Sequence, residues 1–470
     1  MKRSTHLALL ATTLSLGSCS SPPALDASGS FIPMHPDARG PMSTVPAPTA
    51  EALAPSPPSS GAPTASPAST GARFRVEPGG AHATLASVAP LLEPGDVVEV
   101  VGGAIYQGGV RFARPGRPDA KIVIRGVPVD GKRPVISGGA DTIEAAGDHY
   151  VFEELELTGG KNRCFFHHAH DVTLSRSLVR DCPQQGILGA DHDSGDFTME
   201  HVEVARSGSG IYNHQIYMAT DERTHPGAVF RMRHCYVHDG AGGNNVKSRA
   251  ERNELHYNWI EGARYHEVEL VGPDGADPAL AREDGELVGN VLVKSTDFYV
   301  LRLGSDGTGS TGGRYRLLHN TVVLQGSQSA IRLMGEVESV EAYNNVFYRA
   351  GGTGISVFLD QAKWTTGRPV LVGSHNFVPK GSLTPSSWAA TVYATDPRFA
   401  SFASFDLRPH APGPLVGAGS SATANASTLA FPRPLGAPSS EPPMRAIGPA
   451  RPRASAASPS IGAFEPEARR

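Results

Sequence analysis

Cysteine is scarce in this chain, with four in 470 residues and no CxxC pair, which argues against a zinc–thiolate centre. Aromatic residues make up 7% and charged residues 19%, beside 53 Gly and 39 Pro. That balance fits a loop-rich β protein with a disordered segment attached. There is no strong excess of one charge sign either. A formal net charge of −4 excludes a general nucleic-acid binder, so any attraction for an acidic ligand must be local. Long apolar runs are missing too: the stretch from Leu7 to Leu16 is too short to span a bilayer.

That stretch follows Lys2 and Arg3 and ends in Leu16-Gly17-Ser18-Cys19, the layout of an export signal. The tetrapeptide resembles a bacterial lipobox. The resemblance implies an acylated Cys19 as mature N-terminus, a lipid anchor in a membrane, and an outer-membrane or cell-surface address. Residues 20–72 are rich in Pro, Ser, Ala and Thr, cannot bury a core, and read as a semi-stiff tether. The expected organisation is a signal over 1–19, a tether over 20–72 and one folded domain over 73–470.

A repeat dominates that domain. Arg176, His201, His234, Asn258, Asn290, Asn320 and Asn345 each sit between two short alternating strands, 24 to 33 residues apart, the length of one coil of a β-solenoid. Asn suits such a corner because it tolerates the left-handed backbone region and its amide bonds to the same residue one coil away. A second strand follows each corner by 10 to 15 positions, as in Ile216-Tyr217-Met218, Val246-Lys247-Ser248, Val268-Glu269-Leu270, Leu301-Arg302-Leu303 and Ile331-Arg332-Leu333. With the apolar residues inward, period-two alternation turns the middle ones outward. Stacking then gives one exposed column of Tyr217, Lys247, Glu269, Arg302 and Arg332. Its bland reading is a solvated face laced by ion pairs between coils.

His82 to Leu92 reads as a helix that caps the open end of the solenoid, and Asp406-Leu407-Arg408-Pro409 and Ile461-Gly462-Ala463-Phe464-Glu465 read as closing phrases. Cys164 and Cys182 lie about one short coil apart and suit a disulfide, whereas Cys235 reads as a buried thiol. Asp191-His192-Asp193-Ser194-Gly195-Asp196 lacks the spacing of an EF-hand loop and reads as an exposed turn. Together these features resemble exported right-handed parallel β-helix proteins of the pectate-lyase-like superfamily over roughly residues 73–465. The resemblance implies an all-β, right-handed parallel β-helix with an N-terminal capping helix, and a monomer.

Within the coils, Lys247-Ser248 followed by Asn253 and Asn258 is similar to a stretch in polysaccharide lyase family six. That likeness implies a lyase that cleaves an acidic, uronic-acid-containing polysaccharide by β-elimination, with Lys247 as base, an assisting Arg and bound calcium. Arg302 is the column Arg nearest the base, although the next coil presents Glu269. Proton removal beside a carboxylate needs positive charge on that carboxylate and a base that is neutral part of the time. Lys247, Arg302 and Glu269 are therefore the candidate catalytic residues. Arg249, Arg332, Tyr217, His214, Asn245 and His266 are the candidate substrate contacts, and Glu267 with Glu269 the candidate calcium ligands. Two other functions fit the same face: a hydrolase using Glu267 and Glu269 as a carboxylate pair about 7 Å apart, and a glycan-binding surface without turnover.

Overall fold

A computed structural model describes residues 71–275, 284–326, 329–359, 370–421 and 437–467. Cys19 and the tether up to residue 70 lie outside the described residues. Three parallel sheets of 13, 9 and 12 strands form the domain, and successive strands of the chain visit the three in rotation. The connections follow the right-handed sense of parallel crossovers, which makes the fold a right-handed parallel β-helix. Inward positions carry its core: Val246, Val268, Leu270, Leu303 and Ile331 are fully enclosed and Leu333 nearly so. They stack in register from coil to coil, Val246 beside Val268, Leu301 and Ile331.

The corner ladder differs by one residue from the sequence reading in its first coils. Cys235, not His234, takes the place equivalent to Asn258, since Tyr236 pairs with Trp259. By the same register Val202 and Ser177 replace His201 and Arg176. The left-handed backbone belongs to the residue before the ladder position: Arg176, His201, His234, Tyr257, His319 and Asn344 all have φ of 45–59°. The ladder Asn serves through its amide instead. The Asn258 side chain donates to the Asn290 side chain at 3.0 Å, Asn290 to Asn320 at 2.9 Å, Asn320 to Asn345 at 2.9 Å and Asn345 to Asn376 at 3.0 Å. Each amide also donates to a backbone carbonyl such as Leu255 O at 2.8 Å. Buried polar groups so satisfied hold adjacent coils in one register.

The expected N-terminal helix is short. Leu85–Val88 forms one α-turn and Ala89–Leu91 one 3₁₀ turn, because Pro90 brings no N–H to continue the helix. Leu85, Val88 and Leu92 join the main core. Cys164 and Cys182 form a disulfide, and Cys235 is a buried free thiol.

Two of the three outer faces are occupied. The 12-stranded sheet turns Trp259, Val291, Val293 and Val323 outward under Leu407, Met444, Ile447 and Phe464 of the C-terminal segment, and Val346 and Tyr348 under Phe402, Leu415 and Ile461. The 13-stranded sheet stacks Arg231, Glu254, Glu286, Arg316 and Glu341 in register, with ion pairs such as Arg231–Glu254 at 3.3 Å and Arg316–Glu341 at 3.0 Å. The nine-stranded sheet carries the lysine column.

Candidate active site

The outward column of the nine-stranded sheet runs Phe166, Leu188, Tyr217, Lys247, Glu269, Arg302 and Arg332, each paired with the next. Neighbouring members are set by the strand spacing of about 4.8 Å. The register read from the sequence is the register found, but Lys247 and Glu269 in that column are buried and not exposed.

Lys247 is the centre of the group, and only 9% of it is exposed. Its Nζ donates to Asp306 Oδ2 at 2.6 Å and lies 3.6 Å from Glu269 Oε2. Burial, and after it the Arg249 guanidinium, holds the lysine below its ordinary range against the opposing pull of Asp306. Burial alone would raise the Asp306 carboxyl, yet Arg249 and Lys247 hold it well below the usual range. Glu269 is completely enclosed. Arg302 grips its Oε1, and Asn244 Nδ2 donates to its Oε2 at 2.6 Å. The Glu269 charge is thus shared with Arg302 and Asn244, and Asp306 is the anion nearest the amine. Arg332, half-buried above Tyr299, pairs with no carboxylate among the described residues.

Arg249 points outward as expected but is not open to a ligand. Its guanidinium donates to Tyr217 Oη at 2.9 Å, Thr308 Oγ1 at 2.9 Å, Gly272 O, Asp274 at 2.9 Å and Asp306. It ties the loops around Gly272–Asp274 and Asp306–Thr308 over the sheet. Tyr217 keeps half-exposed ring surface beside Lys247, whose Nζ is 5.3 Å from the ring centre. A cleft of about 420 Å³ begins here, lined by Phe166, Leu188, Tyr217, Arg249 and Glu222 among others.

Four expected surface residues lie instead in the corner beneath the sheet. Asn245 is enclosed, accepting from Gln215 Nε2 at 2.8 Å and donating to Glu267 Oε2 at 2.7 Å. Glu267 is also enclosed, between Asn245, the Ala263 N–H at 3.1 Å and Lys294 Nζ at 3.2 Å. Burial pushes its carboxyl up to about 7 while Lys294 opposes the shift. Glu267 and Glu269 thus face different partners and do not form the exposed carboxylate pair that a hydrolase or a shared calcium would use. His214 Nδ1 accepts from the Asn244 N–H at 2.9 Å. His266 Nδ1 lies 3.2 Å from Tyr299 O and takes the role of donor. Burial, joined by the nearby cations, lowers both imidazoles well below their ordinary value. They are neutral supports of the site wall, not sugar contacts.

Asp306, Asn244 and Lys294 were not expected in the site. Asn244 has a weak signal, as the neighbour of Asn245 before the lysine strand. Asp306 sits in a Gly-Ser-Asp-Gly turn that carries no trace of a partner 59 positions earlier.

No family model matches the chain, and no curated protein matches it. Among solved structures it is similar to pectate lyase Pel9A at 14% identity over 86% of this chain and 98% of that one, with a TM-score of 0.49. It is also similar to an alginate lyase from Paenibacillus sp. str. FPU-7 at 17% identity over 57% and 92%, with a TM-score of 0.40. A third likeness is the GH136 lacto-N-biosidase from Eubacterium ramulus, at 12% identity over 65% and 67%, with a TM-score of 0.39. These likenesses concern the β-helix, and the chemistry must be read from the side chains of this chain.

Proposed function

We propose that the protein degrades an acidic polysaccharide by β-elimination, with Lys247 as the base. The observation that carries this reading is the setting of Lys247: a desolvated amine in an outward column, beside Arg249 and two and three coils from two further arginines. A uronate carboxylate lying against Arg302 would place the adjacent C–H toward Lys247, with Arg332 one coil further on. The amine takes the C5 proton, the electron pair forms the C4–C5 double bond, the C4–O bond breaks, and the departing oxygen takes its proton from the ammonium so formed or from water. A neutral amine keeps two N–H bonds, so Lys247 can stay hydrogen-bonded to Asp306 while its lone pair faces the sugar. Glu269, already held by Arg302 and Asn244, sets the arginine's position. Calcium has no part in this proposal, because Glu267 and Glu269 are both enclosed and held by other side chains.

The outer face of the 13-stranded sheet shows what a purely structural charge column looks like in this protein: acids and arginines bound to each other. The lysine column differs in its desolvated amine and in an arginine, Arg332, that pairs with no described carboxylate. The test is digestion of alginate, pectate and glycosaminoglycans by the purified protein, with and without a calcium chelator. Unsaturated uronic ends are expected from one of them. New reducing ends without unsaturation, or binding without cleavage, would overturn the reading.

A further inference from the structure

A second cluster of chemically competent side chains stands on the same sheet, at the far end of the cleft from Lys247. His168 follows the strand Arg163–His167, and His192 and Asp193 follow the strand Gln185–Gly189, which pairs with it one coil on. One ligand atom from each of the three lies within 4.8 Å of the others. We propose that His168, His192 and Asp193 bind a divalent transition-metal ion such as Zn²⁺. This proposal stands on the cluster itself and is independent of the lyase reading.

Each imidazole already has a carboxylate at one ring nitrogen. His168 Nε2 lies 2.9 Å from Glu144 Oε1, which also pairs with Arg111. His192 Nδ1 lies 3.4 Å from Asp191 Oδ1. An N–H directed at each carboxylate leaves a lone pair on the opposite ring nitrogen and orients the ring. Asp193 is fixed as well: its N–H donates to Asp221 Oδ2 at 2.9 Å, and its backbone holds a left-handed φ of 58°. Metal–ligand distances near 2.0–2.1 Å would draw the three donor atoms to roughly 3.3 Å apart. Rotation of the exposed His192 and Asp193 side chains can supply that closure.

Donor chemistry selects the ion. Two imidazoles and one carboxylate suit Zn²⁺, Co²⁺ or Ni²⁺, whereas calcium and magnesium prefer all-oxygen shells. Three protein ligands leave a coordination position open, and His192 lines the cleft. The two coils that carry the cluster are two and three strand spacings from Lys247, or roughly 10–14 Å. An ion here therefore has no part in proton transfer. It would pin the 190–196 turn to the preceding coil, shape the cleft wall, and offer a site for a substrate oxygen.

The test uses full-length, tag-free protein stripped of metal and titrated with Zn²⁺ by calorimetry and with Co²⁺ by visible absorption. One equivalent of Zn²⁺ is expected to bind and raise Tm, with Ca²⁺ giving no such effect at this site. His192→Gln, at an exposed position, should weaken Zn²⁺ binding by at least about tenfold, and Glu144→Gln by about 10–100-fold. His168→Gln should abolish the tetrahedral Co²⁺ spectrum. Absence of Zn²⁺ binding to the wild type, or unchanged affinity in His192→Gln, would overturn the proposal, and the latter variant decides even if His168→Gln fails to fold.

Discussion

Lys247 Nζ and Asp306 Oδ2 are 2.6 Å apart although 59 positions separate the two residues in the chain. Asp306 also binds the Arg249 guanidinium. One carboxylate thereby fixes both the amine and the arginine that depresses its basicity. Asp306→Asn should leave the fold intact but let Lys247 wander, lowering kcat by roughly 10–100-fold, the usual cost of a misplaced catalytic group. Steady-state kinetics on the cleaved polymer checks this, and unchanged kcat would remove Asp306 from the site.

The pH dependence of turnover follows from the same pair. A base works only after losing its proton, so kcat/KM should rise with pH toward the lysine pKa, which burial and Arg249 hold below the ordinary value. Asp306 opposes that depression. In Asp306→Asn the rising limb should shift to lower pH, and a limb that moves the other way would contradict the assignment of Lys247 as base.

The Asn ladder should be the fold's most sensitive polar feature. Asn290→Ala removes the acceptor of the Asn258 N–H at 2.9 Å and of its side chain at 3.0 Å, and deprives Leu255 O of its donor. Buried groups left unsatisfied in this way should cost roughly 2–4 kcal/mol. Denaturant unfolding measures it, and a loss below about 0.5 kcal/mol would show that stacking of the strands alone sets the register.

Acid should destabilise the domain through its corner histidines. Burial, followed by His201, lowers His234 to about 4, below the 6.5 of a free imidazole. The unfolded chain therefore binds the proton more readily, and stability present above about pH 6.5 is lost as pH falls toward 4. His234→Gln should flatten the dependence of Tm on pH in that window. An unchanged slope would assign the acid sensitivity to other groups.

Much of the fold and half of the site were legible in the chain. Strict alternation within Val246–Arg249, Val268–Val271 and Leu301–Gly304 fixes which side chains face outward, and the column follows from it. Alternation stops where a strand stops. Asn245 and Glu267 precede their strands and turn into the corner, so extending the pattern by one residue placed them on the wrong face; His214 and His266 read as sugar contacts from residue type alone, and they lie enclosed in the same corner. The ladder was offset in its early coils for a related reason: the conspicuous His201 and His234 occupy the left-handed position, while the ladder itself passes through the inconspicuous Val202 and Cys235. Asp306 was illegible because loop closure across two coils leaves no local pattern.

The rate of appearance of unsaturated uronic ends with Lys247→Ala, set beside polymer binding by the same variant, tests the central claim most directly. With Lys247 as base, turnover should fall roughly 10²–10⁴-fold while binding stays within about threefold of wild type, since the base acts on the transition state and not the ground state. Turnover close to wild type in Lys247→Ala would contradict the account.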